Sequence, residues 1–214
     1  MSLPRLFSTV SLQPDTDIVL GDGEARYVGR VLRLRPGNEL RLFDGSGGEY
    51  TATLNQVSKQ TVRLTVGEYH ERDTESPLRI RLVQGVSKGE RMDLVVQKAT
   101  ELGVARISPV LTDFSVVKLD AERAEKRRDH WQKVARSACE QCQRNIVPVI
   151  DTPRSMLDWF GDNAAADEPR LILKPDADVA MPKIELPGND VTILIGPEGG
   201  FSDAEYARAS AAGL

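Results

Sequence analysis

The chain has 214 residues, 40% hydrophobic and 28% charged, with a formal net charge of −4. That length accommodates one to two domains, and the hydrophobic share excludes wholesale disorder. Taken alone, the negative charge argues against a nucleic-acid partner, because phosphate binding needs positive charge. The charge is unevenly spread. Residues 1–72 carry 9 basic and 9 acidic side chains, residues 73–150 carry 14 and 11, and residues 151–214 carry 5 and 12. The last 64 residues hold −7 and the first 150 hold +3. No apolar run approaches the roughly 18–20 residues of a membrane span. Met1–Val10 lacks the apolar stretch of a secretory signal. Cys139 and Cys142 are too few for a disulfide framework. These features describe a cytoplasmic protein with no membrane contact.

The first ~70 residues alternate in period two over Glu39–Phe43, Tyr50–Leu54 and Thr61–Val66. Turn signals at Pro36-Gly37-Asn38 and Asp44–Gly48 separate them, as in a compact barrel or meander. Glu71–Pro77 reads as a linker. From Leu78 strands and helices alternate, the mark of an α/β domain. Arg79–Val86 is a strand, and Ser87 with Glu90 fits a capping box opening a helix over Glu90–Leu102. That helix places Met92, Val95, Val96, Ala99 and Leu102 on one side and stops at Gly103. A strand near Ala105–Val110 precedes a helix over Ala121–Arg144, capped by Asp120, with Trp131, Ala135, Ala138 and Cys139 in its apolar stripe. A strand at Val147–Ile150, a helix near Ser155–Phe160 and a strand at Arg170–Leu173 follow; the one low-complexity stretch is Asn163–Ala166. Val191–Ile195, continuously apolar, suits a parallel strand buried on both faces.

The sharpest motif is Ile193–Glu205, ILIGPEGGFSDAE. A strand ends in a glycine-rich loop and a helix begins at once, with a capping box in Ser202 and Glu205 and a hydrophobic staple in Phe201 and Tyr206. The missing side chains let backbone N–H groups approach a ligand, at the strand end where α/β proteins bind one. The loop has no phosphate-binding lysine, which disfavours a nucleoside triphosphate; the alternative is a tight turn without a ligand. Cys139 and Cys142 face the apolar stripe as core residues, and His70 and His130 are too few to complete a zinc site, so no metal is expected. Gln141 and Arg144 suit either a polar ligand or a neighbouring backbone. Arg30, Arg33 and Arg35, with Arg5, form either a phosphate-binding basic face, with Tyr27 stacking on an unpaired base, or a solvated surface. Lys126-Arg127-Arg128 and the Lys98–Glu101 pair read as solvated helix faces. No Ser–His–Asp set or hydrolase carboxylate pair emerges, so any chemistry relies on a bound cofactor and positioning.

Arg5-Leu6-Phe7, Gly29–Arg33, Asp44-Gly45, Gln97–Gly103, Trp131–Arg144, Val147-Pro148 and Ile195–Phe201 together resemble the bacterial RsmE family, 16S ribosomal RNA uridine N3-methyltransferases of the SPOUT class. The resemblance implies an α/β protein with two domains. Residues 1–72 would be a PUA-like RNA-binding β-barrel, and residues 73–214 a SPOUT methyltransferase domain with a trefoil knot. It implies S-adenosylmethionine (SAM) as cofactor, 16S rRNA of the small ribosomal subunit as partner, and a homodimer to whose packing the long helix with Trp131 and Cys139 contributes. On this reading Leu173, Ile195, Gly196, Gly199 and Gly200 bind the cofactor. Arg5, Tyr27, Arg30 and Arg33 face RNA, and Arg144 and Glu198 serve orientation or charge stabilisation in catalysis. Family members continue past Leu214 with a further strand and helix that close the knot. The last knot segment is therefore expected to be absent, leaving Val191–Ile195 short of a neighbour. The competing readings are an RNA-binding protein inactive as a methyltransferase and a SPOUT methyltransferase with another RNA target.

Overall fold

The computed structural model describes residues 3–115, 119–162, 168–177 and 184–214. The low-complexity stretch at 163–166 lies outside them. The chain divides into two compact units: residues 1–75 with 139–147, and residues 76–138 with 148–214.

The first unit is built on a five-stranded sheet of β1 (Arg5–Phe7), β2 (Asp17–Leu20), β3 (Glu39–Phe43), β4 (Glu49–Val57) and β5 (Val62–His70), in the order β1-β3-β4-β5-β2. Period-two alternation puts Leu40, Leu42, Ala52, Leu54, Val62, Leu64 and Val66 in one core. β3 matches its sequence pattern, β4 and β5 outrun theirs, and β1 and β2 are too short to show one. Between β2 and β3 the chain forms α1 (Asp22–Arg26) and a π-helical turn over Tyr27–Val31. Tyr27 and Arg30 thus stand on helical backbone, and Arg33, just beyond, takes φ +54. Arg144 and Asn145 bond Arg5, Glu75 and Arg72, which is why residues 139–147 belong to this unit.

In the second unit β6 (Arg79–Gly85), β7 (Arg106–Leu111), β8 (Val149–Ile150), β10 (Arg170–Ile172) and β11 (Asp190–Ile195) form a parallel sheet in the order β10-β11-β6-β7-β8, and β9 (Arg154–Ser155) also pairs with β7. β11 has neighbours on both sides, β6 over six residue pairs and β10 over three, which corrects the expectation that it would lack one. The supporting helices are α2 (Arg91–Glu101), α3 (Ala121–Cys142), α4 (Met156–Asp162) and α5 (Asp203–Ala211).

The capping box at Ser87 and Glu90 does not form. The helix begins at Arg91, so Glu90 holds the cap position that the box assigns to Ser87, and it makes no side-chain cap bond. Leu102, placed on the buried side of α2 by its spacing, is 80% exposed beyond the helix end. Asp120 does cap α3, its Oδ1 accepting the Arg123 N–H at 2.8 Å, and α3 stops at Cys142 because Gln143 takes φ +69. Trp131 and Cys139 are both buried. Burial pushes the Cys139 thiol up to about 12, so it stays protonated as a core residue.

Candidate functional site

Because the strands of the second unit are parallel, their carboxyl ends share one edge, and the loops that leave it converge there. The glycine-rich loop Gly196–Gly200 follows β11. Its seat is Gly85, the last residue of β6. A Cβ there would lie 2.5 Å from the Pro197 nitrogen and closer still to its ring. A Cβ on Gly196 would lie 2.9 Å from the Cα of Gly200, so the loop folds back on bare backbone. The buried Gln84 side chain donates to the carbonyls of Gly85 (3.0 Å) and Gly196 (3.1 Å), locking strand to loop. The expected capping box of α5 is present, Ser202 and Glu205 each accepting the other's backbone N–H, and the Phe201 and Tyr206 rings meet edge to face at 5.6 Å. The loop after β7 is tied in as well: Glu205 accepts the Asp113 N–H at 3.0 Å, and Ser202 Oγ donates to Asp113 at 2.6 Å.

Leu173, Ile195, Gly196, Gly199 and Gly200 are all brought to this edge. The Leu173 N–H donates to the Leu194 carbonyl at 3.0 Å, keeping Leu173 in line with β11. Glu198 accepts from Arg91 at 2.7 Å and from the Lys88 N–H at 3.3 Å. Its bond to Arg91 holds its carboxyl below the usual glutamate range. Phe114, missed in the sequence, backs Gly199 and is 52% exposed, while Leu173 is 40% exposed. Bare backbone beside exposed apolar side chains suits a flat, mostly uncharged ligand.

Arg144 and Arg5 lie in the first unit, and both are buried. Arg144 Nε donates to Glu75 at 2.9 Å. Arg5 bonds Glu49, the Arg144 carbonyl (3.0 Å) and Asn145 Oδ1 (2.7 Å). Arg5 is therefore an internal strut, and the expectation that it joins an exposed RNA-facing surface is corrected. A buried ion pair takes a guanidinium off the surface, which a sequence pattern cannot disclose. Arg30 and Arg33 are exposed and have no ion pair among the described residues. Tyr27, partly buried, lines a cavity of about 610 Å³ together with Arg41, Glu49, Arg72, Glu140, Gln141 and Gln143. Its phenol is pushed up by burial and by Glu140.

Glu140 is pushed up to about 6, chiefly by burial, with the Phe7 N–H it accepts at 3.0 Å opposing the rise. A carboxyl whose folded pKa is raised binds its proton more tightly in the folded state, so its contribution is fully present below about 4.5 and is lost as pH rises through about 6. Glu140→Gln, which keeps the acceptor for Phe7, is therefore expected to match the wild type at pH 4 and to exceed it near pH 8 by about 2 kcal/mol. Urea denaturation at the two pH values checks this; an equal margin at both would show that burial does not penalise the Glu140 charge.

A β-sheet unit together with an α/β unit whose parallel sheet ends in this glycine loop defines an RNA methyltransferase with a PUA domain: residues 74–214 match the RNA methyltransferase domain family, and residues 20–67 match the RNA methyltransferase PUA domain. Ribosomal RNA small subunit methyltransferase E of Buchnera aphidicola (subspecies Acyrthosiphon pisum) is 31% identical over 209 residues, 96% of this chain and 81% of that protein. The chain belongs to the ribosomal RNA small subunit methyltransferase E family. The Bacillus subtilis member is 32% identical over 192 residues, 86% of this chain and 75% of its own. In structure, the Neisseria gonorrhoeae member bound to S-adenosylmethionine is 36% identical, with a TM-score of 0.92 over 99% of this chain and 86% of that one. A Legionella pneumophila protein in complex with the same cofactor is 38% identical, again at 0.92, over 100% and 87%. No helix among the described residues is long and apolar enough to cross a membrane.

Proposed function

We propose that this chain methylates 16S rRNA of the small ribosomal subunit at N3 of one uridine, using SAM. The observation that carries the reading is the loop Gly196–Gly200 seated on Gly85, where a single Cβ would collide and where backbone and exposed Phe114 and Leu173 remain open to a ligand. The relatives solved with SAM share this fold at 36% and 38% identity. The residues present fit the cofactor: Leu173, Ile195, Gly196, Gly199 and Gly200 would hold it, and no metal is needed. When bound, SAM supplies a sulfonium methyl whose transfer breaks the S–C bond, forms the N3–C bond and releases the N3 proton.

Catalysis then rests on alignment and on stabilising charge on the uracil oxygens. Glu198 serves orientation, since its bonds to Lys88 N–H and Arg91 fix the loop to the start of α2. Arg144 also serves orientation, through Glu75. Residues 1–72 carry the RNA contact, with Arg30 and Arg33 toward phosphate, and residues 73–214 carry the chemistry. The working state is a cytoplasmic homodimer. Leu94 and Leu102, 55% and 80% exposed, are apolar surface that a second copy would cover.

Calorimetric titration with SAM is expected to show saturable binding, and undermethylated small subunits are expected to gain a methyl group at uridine N3. Binding of RNA without uptake of SAM would overturn the enzyme reading, and a methyl group mapped to another nucleotide would overturn the target. Arg144→Ala is expected to lower methyl transfer by about a hundredfold through misplacement. Wild-type rates in the folded variant would remove Arg144 from the site.

A further inference from the structure

The cavity of about 610 Å³ in the first unit falls within the usual ~300–1,000 Å³ of ligand sites. Its charge is unbalanced. One buried carboxylate, Glu49, faces three guanidinium groups: Arg5 bonds it directly, Arg72 Nη1 lies at 3.5 Å and Arg41 Nε at 3.6 Å. Glu140 also lines the cavity and adds a second negative charge above about pH 6, so two carboxylates stand against three guanidinium groups and one positive charge stays over. Arg5 is enclosed, but the Arg41 and Arg72 side chains are 27% and 36% exposed, so the surplus charge is within reach of a phosphate.

The rest of the lining has a different chemistry. Tyr27 packs against the sheet core and is only partly buried. Gln141 lines the cavity beside Tyr27, and Gln143 Oε1 accepts from Arg72 Nη2 at 2.6 Å. Both glutamines are exposed, at the last turn of α3 and just beyond it. An aromatic ring and two amides, each amide carrying donors and an acceptor, match the face and edge of a nucleobase. A site for a bare anion would need neither. A duplex presents neither base faces nor Watson–Crick edges, so only an unstacked base could use them.

We propose that this cavity receives one unstacked nucleotide of single-stranded RNA, its phosphate on Arg41 and Arg72 and its base against Tyr27 and the Gln141 and Gln143 amides. The site lies wholly in the first unit, apart from the residues assigned to SAM. It rests on the methyltransferase reading only for the class of polymer. Arg30, Arg33 and Arg35, exposed and without ion pairs among the described residues, follow Tyr27 closely in the chain and extend the positive surface available to flanking phosphates.

The test uses the whole chain with a short fluorescein-labelled RNA of mixed sequence, as a single strand and annealed to its complement, read by anisotropy. The single strand is expected to bind about tenfold or more tighter than the duplex, and Gln141→Ala and Tyr27→Ala to weaken the strand about tenfold while sparing the duplex. Arg41→Gln is expected to weaken both and to flatten the salt dependence. Gln141 is exposed, so its variant reports on binding even if loss of the Tyr27 ring disturbs the sheet core. Equal affinity for strand and duplex, or wild-type strand affinity in Gln141→Ala, would overturn the proposal. SAM titration of the same samples separates the two readings. SAM uptake without strand preference overturns the cavity alone. Strand preference lost in the variants, without SAM uptake, supports the cavity and overturns the enzyme.

Discussion

Gly85→Ala is expected to abolish SAM binding and to destabilise the chain by about 1–3 kcal/mol, toward the upper end. The added methyl would lie 2.5 Å from the Pro197 nitrogen and 3.0 Å from the carbonyl carbon of Gly196. These are ring and backbone atoms, which cannot swing aside as a side-chain tip can. The loop Gly196–Gly200 must then lift away from β6. The lift also strains the two bonds that Gln84 makes to the Gly85 and Gly196 carbonyls. Gly161→Ala is the control. It lies in α4 with nothing within 4 Å of the added Cβ, and it is expected to stabilise the chain by about 0.5–1 kcal/mol through helix propensity. Calorimetry with SAM and urea denaturation read both effects; wild-type SAM affinity in Gly85→Ala would show that the loop is not the donor seat.

Arg5→Ala is expected to cost about 3–5 kcal/mol, the range for removing one partner of a buried ion pair. Arg5 and Glu49 side chains are 6% and 7% exposed, so surface screening does not shrink the figure. The change also strips the Arg144 carbonyl and the Asn145 side chain of their donor, leaving buried acceptors short of partners. Arg41 and Arg72 remain near Glu49 and keep the loss from growing further. Arg5→Met, which retains much of the packing volume over the Phe43 ring, is expected to recover only a minor part, because charge and hydrogen bonding dominate. If Arg5 instead faced RNA from the surface, Arg5→Ala would weaken RNA binding and leave the denaturation midpoint unchanged.

Much of this fold is legible locally. Period-two alternation placed β3, β4 and β5. A continuous apolar run placed β11 inside a parallel sheet, and Ser202 with Glu205 placed the start of α5. Such features depend on neighbours within a few residues, so a single chain exposes them. Ser87 and Glu90 carry the same signature and form no box, because the helix begins only at Arg91 and leaves Ser87 three residues ahead of the cap position. The motif is necessary for that cap without being sufficient. β1 and β2 escaped because three and four residues are too few to establish a period.

The glycine loop, its position at a strand end and the surplus of acid in the last third were determined by the sequence alone, since each is a property of adjacent residues. Where the charged groups ended up was decided only in three dimensions. Arg5 meets Glu49 across 44 residues and Asn145 across 140, and those partners turn a surface arginine of the sequence pattern into a buried strut. Gly85 lies more than a hundred residues before Pro197, yet the parallel pairing of β6 with β11 puts the two in contact. The net charge of −4 likewise says nothing about a cavity in which three guanidinium groups outnumber the carboxylates of Glu49 and Glu140. Composition averages over the chain, whereas a phosphate responds to charge within a few ångströms, and only the packing of distant segments sets that local field.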